Sequence, residues 1–318
     1  MIDKTTPPSQ RMKGQLSPSF PILPNPLLQE NLSIFLIGSC FSDAMVERFQ
    51  QRQIKAFSNP FGTIYHPTPI LNELKVILNA VPEVHSQIKQ AATAVNPQEE
   101  LPDNAIFEFQ ERFHSLQHAF RFSSTNREDL VNQIQTTRTT AAVALSQASV
   151  GILTLGTSWL YHHLPTQTAV GNCHKLPAQQ FNKQCSTVNQ IKEELKIFFD
   201  LANNLLPEKV WILTVSPVRH IKDGISENLR SKSTLICGIQ EFLNENPSTN
   251  IHYFPAYEIQ REELNDWRYF KEDLMHPSAW AEDYIFQRFL ETYFTEESQS
   301  TFIQNFKQWK LSQHNTNR

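Results

Sequence analysis

The stretch Ser33-Ile34-Phe35-Leu36-Ile37-Gly38-Ser39-Cys40-Phe41-Ser42-Asp43 constrains this chain more than any other. An apolar run closed by glycine, then small polar residues, then Ala44, Met45, Val46 and Phe49 at helical spacing, predicts a buried strand, a tight turn and a helix N-terminus. Such a turn sets a side chain at the carboxyl end of a strand. There the amides and positive end of a helix favour an anionic intermediate. Ser39 is the candidate at that place, either as a nucleophile or as the helix N-cap, a position serine fills equally well.

Further apolar runs begin near Ile54, Val150, Val210 and Ile251. Helical patterns over Thr68–Ala80, Leu130–Ala148, Ser186–Leu206 and Ser226–Asn244 alternate with them. Strands alternating with helices predict an α/β fold, a three-layer α/β/α sandwich on a five-stranded parallel sheet covered on both faces. The main domain spans 30–294, with an insertion at about 71–149. Within it, Phe107-Glu108-Phe109 and Phe120-Arg121-Phe122 alternate as short strands do, which predicts a hairpin or lid over Pro82–Ser124. Leu160–Gln184, rich in His and Pro, reads as a loop. Six prolines before Gln29 predict an extended N-terminal arm over 1–29, anchored by Phe20, Ile22 and Leu23. Residues 295–318 read as a peripheral helix and a polar tail.

With 318 residues, 40% of them hydrophobic, the chain can bury a large core. A net charge of -4 leaves no basic surface for nucleic acid. No run approaches the roughly 18 apolar residues of a membrane span, and no apolar segment of signal-peptide type opens the chain, so a cytoplasmic protein is expected. Cys40, Cys173, Cys185 and Cys237 form no C-x-x-C pair. His162, His163, Cys173 and His174 lack a ligand pattern and read as loop residues, so neither a metal nor a cofactor is expected.

Near the end, Asp273-Leu274-Met275-His276-Pro277-Ser278 precedes a last core helix, with Pro277 suited to its first position. Asp273 is close enough to hold one ring nitrogen of His276 while the other faces a substrate. Nucleophile, base and orienter thus fall on the carboxyl edge of one sheet, where open α/β sheets bind ligands. Arg219 and His220, at another strand end, are pocket-lining candidates or a salt bridge and cap. Cys40 is the competing nucleophile, with a buried structural thiol as its plain alternative. Because successive residues face opposite sides, a cleft-facing Ser39 would turn Cys40 into the protein.

The order of these features resembles the SGNH, or GDSL-like, hydrolase superfamily. More narrowly, Gly38-Ser39-Cys40-Phe41, Asn59-Pro60-Phe61-Gly62, Leu155-Gly156-Thr157, Asn172-Cys173-His174-Lys175, the run from Ser216 to Gly224, Ser231-Lys232 and Asp273 to Ser278 resemble the bacterial GSCFA-domain family over Ser33–Phe294. The resemblance implies a flavodoxin-like strand order and a serine esterase working through an acyl-enzyme on Ser39, with Asp273 and His276. The resemblance says little about substrate; a small ester or an acylated carbohydrate is expected. It also implies oxyanion donors: Gly62 matches one by position, whereas the usual Gly-x-Asn-Asp block is here Gly156-Thr157-Ser158-Trp159. Asn59, Thr157 and Asn172 are the substitutes for its missing Asn. Acyl transfer, a cysteine nucleophile at Cys40, or a non-catalytic binding module on the same fold are the alternatives.

Overall fold

The computed structural model describes residues 22, 24–80, 106–248 and 250–316. The first elements are β1 (Ser33–Gly38), α1 (Cys40–Gln50), β2 (Lys55–Ser58) and α2 (Pro67–Asn79). There follow β3 (Ile106–Phe109), β4 (Arg112–Ser115), β5 (Ser123–Ser124), α3 (Arg127–Gln147), β6 (Val150–Leu155), β7 (Trp159–His163), β8 (Thr168–Val170) and β9 (Phe181–Cys185). The chain continues through α4 (Val188–Leu205), β10 (Val210–Val215), α5 (Ile225–Glu245), β11 (Ile251–Phe254), α6 (Ala279–Tyr293) and α7 (Glu296–Thr316).

The central sheet has the order β11-β10-β6-β1-β2, and every neighbouring pair is parallel. Counted along the chain this is the flavodoxin-like order, and its five strands start where the apolar runs start. Alternate residues of each strand serve opposite layers. Phe35 and Ile37 of β1 join Leu153, Trp211 and Leu213 under α2, α3, α4 and α5, whereas Ile34 and Leu36 join Ile152 and Ile212 under α1, α6 and α7. Trp211 is fully buried, edge-on to Phe198 and Phe199. It fits because its neighbour across the sheet is Gly151, where a Cβ would stand 2.3 Å from the indole.

β1 lies between β2 and β6, so the chain leaves it first to one side and then to the other. That reversal opens a crevice at the carboxyl ends of β1 and β6. Two small antiparallel sheets stand beside it, β3-β4-β5 and β8-β7-β9. In the first, Gln110 and Glu111 both take positive φ, 51° and 60°, the twist that a two-residue hairpin turn requires. Residues 82–105 of the expected hairpin or lid lie outside the described residues, and Phe120-Arg121-Phe122 is a turn leading into β5 rather than a strand. The second sheet corrects the reading of Leu160–Gln184 as a loop. Its strands are short and mostly half-buried, so they carry no long apolar run.

At the edges of the fold, Ile22 and Leu27 pack on the α1/α6 layer, and the N–H groups of Asn25 and Leu28 bond the carbonyls of Thr292 and Tyr293. Phe20 and Leu23 lie outside the described residues. α7 seats Phe302 against Phe294, with ring centroids 5.0 Å apart. No helix among the described residues is long and apolar enough to cross a membrane.

Candidate active site

The turn after β1 is set by close approach. Gly38 has φ 138°, and a Cβ there would lie 2.1 Å from the carbonyl oxygen of Thr154 in β6. Ser39 follows as the N-cap of α1: its N–H donates to Thr154 O (3.0 Å) and its Oγ accepts from the N–H of Phe41 (3.3 Å). Its exposure is 0%. Cys40 is the first residue of the helix and is partly exposed. The turn is locked from the β2 side by Asn59, whose Oδ1 accepts from Gly38 N (2.9 Å) and whose Nδ2 donates to Ser39 O (3.3 Å) and Asp43 Oδ1 (2.9 Å).

The Asp-x-x-His turn approaches from the other side. Asp273 Oδ1 accepts from the N–H groups of Met275 (2.8 Å) and His276 (3.0 Å), and Oδ2 faces His276 Nδ1 at 2.6 Å. The two backbone N–H groups, then the imidazole, hold the carboxyl of Asp273 down to about 2. Leu274 takes φ 57° to let the loop close on itself. Pro277 stays outside the helix, bridged to Phe270, and Ser278 is the N-cap of α6.

Between these two turns lie two clefts, of about 350 and 260 Å³, and Cys40, Val218 and His276 line both. The larger is walled by Tyr65, Thr157, Trp159, Lys183, Arg219, His220 and Lys222; the smaller by Asp43, Glu47, Lys271 and Glu282. Burial, then the Asp43 carboxylate, pushes the Cys40 thiol above its ordinary range, against the pull of its own N–H and of the Lys232 ammonium. Lys232 is completely buried and donates to Gly156 O (2.6 Å) and Ser216 O (2.8 Å), at the ends of β6 and β10. Burial lowers it to about 7. His220 packs edge-on against Tyr65, its N–H bonded to Asn228 Oδ1 (2.8 Å), and is driven down to about 3 by burial and then by Lys232 and His276. It is a neutral wall.

The remaining sequence candidates fall unevenly. Thr157, Arg219 and His220 line the larger cleft, with Thr157 Oγ1 2.9 Å from Ser231 Oγ. Gly62 does not reach it: its N–H donates to Asn59 O (2.8 Å), and it borders a separate depression with Asn59 and Arg121. Asn172 belongs to the small-sheet layer, its Oδ1 accepting from His174 N and its N–H donating to Leu116 O. His162, His163, Cys173 and His174 form no group able to hold a metal among the described residues. Tyr65, Val218 and Lys232 were not singled out as site residues. Val218 and Lys232 lie within the Ser216–Gly224 and Ser231-Lys232 runs, and Lys232 also stands three and seven residues before Leu235 and Ile239, on the buried stripe of α5.

Buried neutral histidines make stability depend on pH. His66, bonded to Ser186 Oγ, is also lowered to about 3 by burial. Between pH 6.5, where the unfolded chain takes up these protons, and about 3, the unfolded state binds more protons than the folded one. Stability therefore falls as pH falls through that window. Urea unfolding is expected to lose on the order of 2 kcal/mol or more between pH 7 and 4.5, since one pKa unit is worth about 1.4 kcal/mol. A flat profile would contradict the burial of these rings.

No curated protein and no solved structure matches the chain. The GSCFA family does, over residues 33–289, from the first residue of β1 into α6. That span holds the turn of Ser39 and Cys40, the Asp273–His276 pair and both clefts, and the chain belongs to the GSCFA family.

Proposed function

We propose that the protein is an acyl-transfer enzyme of SGNH-like build that uses Cys40, rather than Ser39, as its nucleophile. The observation that carries this is the partition of the two neighbours: Cys40 lines both clefts together with His276, while Ser39 is fully buried with its Oγ engaged as the helix cap. The motif that gives the GDSL-like hydrolases their name has serine in third place; in Gly38-Ser39-Cys40-Phe41 the third place is Cys40.

In this reading His276 Nε2 takes the thiol proton as Cys40 Sγ attacks an ester carbonyl, and Asp273 holds the ring through Nδ1–H. The N–H of Cys40, at the start of α1, is the oxyanion donor. The N–H groups of Ser39 and Gly62 are already bonded to Thr154 O and Asn59 O. The tetrahedral intermediate collapses, the alcohol leaves with the proton from His276, and a thioester remains on Cys40. Water or an acceptor hydroxyl then attacks it, with His276 again as base; the C–S bond breaks, and the Cys40 sulfur leaves with the proton from His276, restoring the thiol. Cys40 and His276 are not hydrogen-bonded to one another, as is common for catalytic pairs without ligand.

Short-chain p-nitrophenyl esters and acetylated sugars are the substrates to screen. On whichever turns over, Asp273→Asn is expected to lower kcat by about 10²- to 10⁴-fold, because the imidazole loses its oriented tautomer. Inactivity of well-folded protein across both classes would favour the alternative of a binding module.

A further inference from the structure

Arg219 serves two cavities. It lines the larger cleft and also an adjoining pocket of about 130 Å³ that includes Leu229, Gln260, Arg261, Trp267 and Phe270. Its guanidinium stacks on the rings of Phe270 (4.0 Å) and Trp267 (4.8 Å). Among the described residues neither Arg219 nor Arg261 has a carboxylate partner. Burial, and then the nearby Arg261 cation, push the Arg219 guanidinium below its ordinary range. Of the carboxylates that act with them on Tyr257, Glu258 accepts from the Tyr253 hydroxyl (2.6 Å) and Glu262 is exposed. Beside the pair, Gln260 is 2% exposed, and both its Oε1 and its Nε2 are buried without a hydrogen-bond partner. An orphaned buried amide is costly to keep, and a bound partner would relieve that cost.

The cleft continues the same charge. Lys183 is paired with Asp223, whereas Lys222 has no carboxylate partner among the described residues. Trp267, Leu229 and Ile225, all exposed apolar side chains, rim the pocket.

We propose that this pocket is a substrate subsite that takes an anionic group, a carboxylate or a phosphate, carried on an apolar body and held by Arg219, Arg261 and the Gln260 amide. It rests on the acyl-transfer reading of the adjoining cleft and narrows it, since the ester bond would lie at Cys40 with the anion of the same molecule beyond Arg219. Two unpaired guanidiniums supply charge-assisted donors, the stacked rings fix one of them in place, and the apolar rim accepts the body.

Calorimetric titration with 4-phenylbutyrate, 3-phenylpropyl phosphate and neutral 4-phenylbutan-1-ol tests it without turnover. The better anion is expected to bind at least about tenfold more tightly than the alcohol, and whichever head group wins identifies the source of the charge. Arg261→Met, at an exposed residue, should remove about tenfold of anion affinity and leave the alcohol unchanged. Gln260→Leu should weaken the anion severalfold while raising the melting temperature, because it deletes an unpaired buried amide. Cys40→Ala should bind all three probes as the parent does, so failure of the nucleophile and failure of the subsite are distinguishable. Equal affinity for anion and alcohol, or no loss in Arg261→Met, would overturn the subsite.

Discussion

Cys40→Ala is expected to abolish ester turnover, a loss of at least about 10³-fold, because removal of a nucleophile leaves only the oxyanion and binding contributions. Ser39→Ala should behave differently. Its Oγ caps α1 through Phe41 N and Ser39 lines neither cleft, so the variant is expected to stay active and to lose about 1 kcal/mol of stability, the usual worth of an N-cap. Iodoacetamide should inactivate the parent and Ser39→Ala alike. The opposite pattern, with activity lost in Ser39→Ala and kept in Cys40→Ala, would return the protein to the serine class.

The second large effect is on folding. Gly38→Ala would place a Cβ 2.1 Å from a backbone carbonyl, that of Thr154, at φ 138°. Backbone strain of about 1–3 kcal/mol and overpacking of about 1–3 kcal/mol both apply, so a total of about 2–6 kcal/mol is expected, a large share of a domain's stability. Gly224→Ala is the matched control: φ is 99° there, but nothing lies within 4 Å of the added carbon, so only the strain remains. Urea midpoints should fall much further for Gly38→Ala than for Gly224→Ala. Equal falls would mean that the β1–β6 approach is not as close as described.

The central sheet was legible because its strands are buried on both faces and so read as short continuous apolar runs between amphipathic helices. The β7-β8-β9 sheet was not, since its residues are half-buried and mix His with aromatics. At the site, the Asp273–His276 pair could be read from spacing alone, because both partners lie in one turn. Which of Ser39 and Cys40 lines the clefts could not. Two adjacent residues at a strand end differ only in which way they face, and that is decided by the capping bond from Phe41 N to Ser39 Oγ and by Asn59, twenty residues on. Oxyanion donors are harder still. Gly62 and Asn59 suit the role by type, yet their groups are bonded within the β1–β2 turn. Which N–H is left over is a property of the tertiary pairing.

The most direct measurement is to trap the acyl-enzyme. Protein quenched in acid during turnover of p-nitrophenyl acetate is weighed intact, digested and mapped. The mechanism predicts one added acetyl group on Cys40, released by hydroxylamine at neutral pH as a thioester is and missing from Cys40→Ala. An acetyl group found on Ser39 would contradict it.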